Sequence, residues 1–224
     1  MLFFKRSNIF SIPVYERYIN EKLIFLKMTL PISREQAWQL VKKHNTHEQD
    51  LIHYLESEAV MRELAEYLKL KTEKVEYWAM LGLLHDVDWG ITKEDVSTHL
   101  TKMPEILEDA GFGNEFIENI LSHGYGFSEL PHLADKKRTE KIEHALAASE
   151  TITGLIHAYA LMRGKRISDM DSHGLKKKFK DRTFAAKISR EVIMEIENLG
   201  ISLDEFFQIA IDGIKNIKEQ VGLS

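Results

Sequence analysis

The sequence predicts an all-α fold organised as a single helical bundle, and three observations predict it. Beyond residue 27, apolar residues recur three, four and seven positions apart almost throughout, the spacing that makes one face of a helix apolar. The period-2 alternation of a half-buried strand is nearly missing. No repeat, low-complexity tract or Pro/Gly linker divides the 224 residues, and 44% hydrophobic content suffices for one sizeable core.

A domain over 28–224 follows, preceded by residues 1–27 as an N-terminal appendage. That appendage is apolar and aromatic, but Lys5, Arg6, Glu16, Arg17, Glu21 and Lys22 interrupt it. No small-residue cleavage site follows, so it does not read as a signal peptide. Met28 offers a second start, and the segment is given no functional weight.

The helices are expected in this order. Ser33 caps one that runs to about Lys43, with Pro31 just outside it. A second spans about Gln49 to Leu70 and a third Glu73 to Asp86, with Gly90 at the position of a stop. Shorter ones cover Pro104 to Ala110 and Asn114 to Ser122, separated by Gly111 and Gly113. A long helix takes Thr139 to Met162, another Thr183 to Leu199, and a last runs from Leu203 to about Val221 behind a Ser202/Glu205 capping box. Gly124 to Lys137 and Gly164 to Asp181 are expected as loops.

Composition narrows the partners. A formal net charge of -5 argues against a nucleic-acid polymer. The absence of cysteine excludes disulfides, thiolate zinc sites, iron–sulfur clusters and cysteine nucleophiles, and fits a reducing cytoplasm. No apolar run approaches the roughly 20 residues of a membrane-spanning helix, so a soluble, cytoplasmic chain is expected.

Placed on these helices, several polar residues fall on apolar faces. His53 shares a face with Val60 and Leu64; His85 lies two turns after Trp78. His123 follows Phe116 and Ile120, and Glu150 sits between Leu146 and Thr153. An inward polar group must find a partner. Any one of these histidines alone reads as a core residue bonded to a carbonyl, and a His-Asp dipeptide alone is weak evidence. Their joint order is what chance seldom supplies.

That order resembles the HD-domain superfamily of metal-dependent phosphohydrolases: a His, an adjacent His-Asp pair and a distant Asp on helices of one bundle. The first His corresponds to His53 in "DLIHYLESEAV", the pair to His85 and Asp86 in "GLLHDVDWG", and the last carboxylate falls in "ASETITGLI". The further histidines of dinuclear members correspond to His99 in "VSTHL" and His123 in "LSHGY". The tail "GLKKKFKDRTFAAKISREVI" is similar to a bacterial subgroup of predicted HD hydrolases. Where that subgroup has Asp followed by Glu-Leu-Thr-Gly, this chain has Glu150 followed by Thr151, Ile152, Thr153 and Gly154. The extra methylene moves the carboxylate by about one bond length, which bears on metal choice and affinity.

The resemblance implies a first metal on His53, His85, Asp86 and Glu150, and a second on His99 and His123 with Asp86 bridging. Imidazoles with carboxylates favour manganese, iron, cobalt, nickel or zinc over magnesium. One or two such ions would activate water for hydrolysis of a small phosphate ester, of the nucleotide or cyclic-nucleotide class. Asp86 is expected to act with the metal. Asp88 has three readings: orienting a ligand histidine, positioning the attacking water, or serving as a turn carboxylate beside Gly90. His99 reads either as a ligand or as a solvated loop histidine. Lys178 could draw in the phosphate and Arg182 or Arg190 could clamp it, although such a charge run also reads as a solvated face. Two alternatives belong to other classes: a dinuclear iron oxygenase of the same superfamily, and a non-catalytic HD-like binding domain. The sequence leaves the oligomeric state open.

Overall fold

The computed structural model describes residues 30–224; the expected appendage 1–27 lies outside the described residues. Every regular element among them is helical and no strand occurs. The α-helices are α1 (Arg34–His44), α2 (Glu48–Tyr67), α3 (Thr72–Leu84), α4 (Trp89–Thr92), α5 (Met103–Asp109) and α6 (Asn114–Leu121). They continue with α7 (Lys141–Met162), α8 (Ser172–Lys180), α9 (Arg190–Met194) and α10 (Leu203–Asn216).

Local chemistry sets the ends. Ser33 and Ser202 head capping boxes, with Gln36 and Glu205 answering at the third helical position. Helix α2 lies at the centre, packed against α3, α7 and α10. Its Tyr54, Val60, Met61 and Leu64 are wholly buried, as are Leu81, Leu83 and Leu84 of α3. Gly82 permits the close α2–α3 crossing, because a Cβ there would stand 2.5 Å from the Ser57 carbonyl oxygen.

Three expectations need correction. Gly90 does not stop α3, which ends at Leu84; it lies in α4, where a Cβ would meet the His44 carbonyl oxygen at 2.0 Å. The segment Gly164 to Asp181 is not all loop. It holds α8, started by Asp171, whose side chain accepts from the Gly174 amide, and anchored by buried Leu175 and Phe179. The expected helix Thr183 to Leu199 is instead a turn-rich stretch, then α9 and a 3-10 helix at Glu195–Leu199. Ala185 has φ 47° there, a left-handed conformation that no helix accepts.

Candidate metal centre

Four imidazoles and two carboxylates converge where α2, α3 and α7 meet the segment after α3. His53 comes from the first half of α2, and Glu150 from the middle of α7. His85 is the C-cap of α3, still in helical conformation, with Asp86 next to it. His99 follows a 3-10 turn at Val96–Thr98, and His123 sits in a second at Ser122–Gly124, directly beyond α6.

Each imidazole is tethered through Nδ1, leaving Nε2 aimed inward. His85 Nδ1 donates to the Gly82 carbonyl (2.8 Å) and His123 Nδ1 to the Ile120 carbonyl (2.7 Å). His53 Nδ1 contacts Thr153 Oγ1 (2.9 Å), and that hydroxyl spends its own proton on the Glu150 carbonyl. Thr153 is therefore the acceptor and His53 the donor. His99 Nδ1 meets Asp88 Oδ1 at 3.1 Å.

The consequence is chemical. With Nδ1 of each ring turned to its tether, His53 and His85 bring their Nε2 atoms to 3.1 Å of each other. His123 likewise turns Nε2 on Asp86 Oδ1 at 3.1 Å. A lone pair facing a lone pair or a carboxylate oxygen is repulsive unless a cation lies between them, whether a proton or a metal ion.

The donors form two adjoining groups, His53, His85 and Glu150 in one and Asp86, His99 and His123 in the other, each within 4.8 Å internally. Ligands about 2.1 Å from one ion stand roughly 3 to 4 Å apart. Asp86 faces both groups. Its Oδ1 is 3.1 Å from His99 Nε2 and His123 Nε2, while its Oδ2 is 3.5 Å from His85 Nε2 and 4.0 Å from His53 Nε2. Glu150 Oε2 reaches to 4.0 Å from His53 Nε2, so the longer side chain still enters its group. The imidazole and carboxylate donors of these two groups could hold a metal ion.

Electrostatics follow from burial and neighbours. Burial lowers the His85 pKa to about 3, keeping it neutral and able to ligate. His99 is opposed by burial, but Asp86 and Asp88 outweigh it and raise its pKa to about 10. Asp86 is held well below the usual carboxylate range: burial pushes it up, and the surrounding histidines more than offset this. Burial raises Glu150, against the pull of His123 and His53.

Asp88 is wholly buried with both oxygens committed, Oδ1 to His99 and Oδ2 to the amides of Lys102 and Met103, each at 3.0 Å. Its carboxylate is turned to His99 on one side and to the start of α5 on the other, so it orients the His99 ring. His99 is no solvated loop residue, since it is buried with Trp89 edge-on to its ring.

Of the residues expected to handle phosphate, Arg190 is spent on the backbone. Arg190 is 2% exposed, and its five N–H groups all donate to backbone carbonyls, of Phe179, Asp181, Phe184, Ala185 and Ile188. It ties down the 181–188 turn and has no donor left for a substrate. Lys178 lies over the rings of Tyr159 and Phe184, and Arg182 forms an exposed ion pair with Glu191. His157, one face with Glu150, instead pairs with buried Glu56 at 2.7 Å, beside a cavity of about 220 Å³ that His53 and Thr153 also line.

Sequence reasoning missed Thr153 as the tether of His53, and Asn45. Buried Asn45 donates to the Val87 carbonyl and accepts from the Gly90 amide, while Tyr54 bonds both Asn45 and the Asp86 carbonyl. Together they fix the turn carrying Asp86 and Asp88.

Comparison with known proteins returned no match to a family model, a curated protein or a solved structure. Among the described residues, no helix is long and apolar enough to cross a membrane.

Proposed function

We propose that this chain is a metal-dependent phosphohydrolase of the HD type, acting in the cytoplasm on a small phosphate ester of the nucleotide or cyclic-nucleotide class. The observation that carries the reading is the pair of three-donor groups with Asp86 turned to both, each histidine tethered through Nδ1. A bound divalent transition metal supplies a Lewis acid and lowers the pKa of water toward about 7.

The chain's own residues do the rest. His53, His85 and Glu150 would hold one ion and Asp86, His99 and His123 another. Gly82, Ile120, Thr153 and Asp88 keep the Nε2 atoms directed inward. His53 is 31% exposed, against 1% for His85 and 10% for His99. A phosphoryl group would therefore enter on the His53, Asp86 and Glu150 side, while the His85 side is closed by core. The lack of cysteine fits a reducing compartment.

Elemental analysis of purified protein, with phosphate release from a nucleotide panel, tests the reading. His85→Ala is expected to lose metal and activity together; full metal content with unchanged turnover would overturn it. The imidazole-rich donor set also suits iron, so the competing oxygenase reading predicts oxygen consumption after anaerobic iron loading and no phosphate release. A metal-free wild type inert in both assays would favour a binding domain.

A further inference from the structure

Arg138 lies outside both donor groups, yet it is the main polar support of the turn that carries His123. Its side chain is 8% exposed. Nη1 donates to three carbonyls in that turn, those of Ser122 (2.9 Å), His123 (3.2 Å) and Tyr125 (2.8 Å). These carbonyls follow the C-terminal end of α6, where helix geometry leaves acceptors without intrahelical donors. A cation there also opposes the negative end of the helix dipole.

The guanidinium is fixed from its other side. Nε and Nη2 make a fork to Glu195, both bonds at 2.6 Å, and Glu195 also accepts from His144 Nδ1 at 2.6 Å. Glu195 opens the 3-10 helix after α9 and His144 lies on α7, so the far end of the chain braces the His123 turn. Burial pushes the Glu195 carboxyl up, but Arg138 and His144 bring it below its ordinary value, keeping the pair ionised.

We infer that Arg138, held by Glu195 and His144, is a positioning residue that sets His123 Nε2 against Asp86 and thereby controls ion binding at the Asp86, His99 and His123 group. This rests on the metal reading above. Only a planar guanidinium can span three carbonyls and fork to a carboxylate at once; a lysine can serve one side or the other.

The test has two arms. In metal-stripped protein, amide hydrogen exchange is followed at Tyr125, whose N–H is bonded to the Ser122 carbonyl at 3.1 Å. Arg138→Met is expected to speed that exchange at least about tenfold and Arg138→Lys by less, with α3 amides unchanged. Cobalt(II) calorimetry then reads the two ion sites. Affinity at the His123 group should fall by about 10- to 100-fold in Arg138→Met, with the other group unaffected. In a His123→Gln background the same substitution should cause no further loss, because Arg138 acts through His123. Unchanged cobalt affinity in a folded variant, or a full extra loss in the double variant, would overturn the inference. If Arg138→Met does not fold, Arg138→Lys decides by the same two measurements. A wild type that takes up no cobalt defeats the metal reading, and the exchange result alone then upholds or removes the brace.

Discussion

Asp88→Asn isolates the tether of one candidate ligand, His99, with little change of shape. Asp88 Oδ2 accepts from the Lys102 and Met103 amides at 3.0 Å, and an asparagine carbonyl can keep both bonds. The amide nitrogen must then face His99 Nδ1, where the carboxylate stood at 3.1 Å. Donor would meet donor. His99 can relieve this by giving up its Nδ1 proton and keeping the one on Nε2 that faces Asp86, which leaves no lone pair there for an ion. A hydrogen bond to a charged group contributes about 1.5–3 kcal/mol, so ion affinity at the Asp86, His99 and His123 group should fall by about 10- to 150-fold. The melting temperature should change little, since the amides at the start of α5 remain satisfied. Calorimetric titration with cobalt(II) or zinc, beside thermal unfolding of the metal-free protein, measures both. Wild-type affinity in folded Asp88→Asn would refute the claim that a fixed Nδ1–H tautomer makes His99 a ligand.

Further outcomes follow from the same geometry. Gly82→Ala forces α2 and α3 apart, because its Cβ would lie 2.5 Å from the Ser57 carbonyl oxygen; a loss of about 1–3 kcal/mol by urea unfolding is expected, together with weaker metal binding at the His53 and His85 group. His99, raised to about 10, is protonated in the metal-free protein at neutral pH. An ion must displace that proton, so affinity at its group should rise about tenfold per pH unit between about pH 6 and pH 9, with proton release visible as buffer-dependent binding heat; a flat profile contradicts this. Glu150→Gln should weaken the His53 and His85 group alone, and Glu150→Asp should bind as tightly or more tightly. A severe loss in Glu150→Asp would show that the glutamate's extra reach is required.

How far the fold and site could be read in advance depended on the range of the interactions involved. Helical periodicity put His53, His85 and His123 on inward faces because each lies on, or one turn beyond, a strongly apolar stripe. Helix α8 escaped notice because its nine residues carry one apolar pair, Leu175 and Phe179, in a lysine-rich run. Its signal was the Asp171 cap. The region after Thr183 reads as helical on its apolar spacing, but Arg190, buried by tertiary packing, gathers the carbonyls of a turn there. Thr153, Asn45 and Arg138 act across 100, 42 and about 15 residues of sequence. No local pattern encodes such contacts. The Gly82 and Ile120 tethers, each three residues before its histidine, were open to sequence reasoning, since a histidine just past a helix end can reach back to a free carbonyl.

The adjacency of His85 and Asp86 has its own structural reason. His85 keeps helical torsion angles, φ -55° and ψ -38°, so its successor is turned by about 100° around the axis of α3. One residue therefore faces His53 on α2, at 3.1 Å between Nε2 atoms, while the next faces His99 and His123 on the other side. A carboxylate with two oxygens serves both directions, which a third imidazole in its place could not do. Had the chain separated the two residues by a full turn, both would share one face and the second donor group would lose its anion. The distances among these donors are set by α2 crossing α3 at Gly82 and by tethers that use none of the inward atoms. Ion binding at these donors then has little reorganisation to offset.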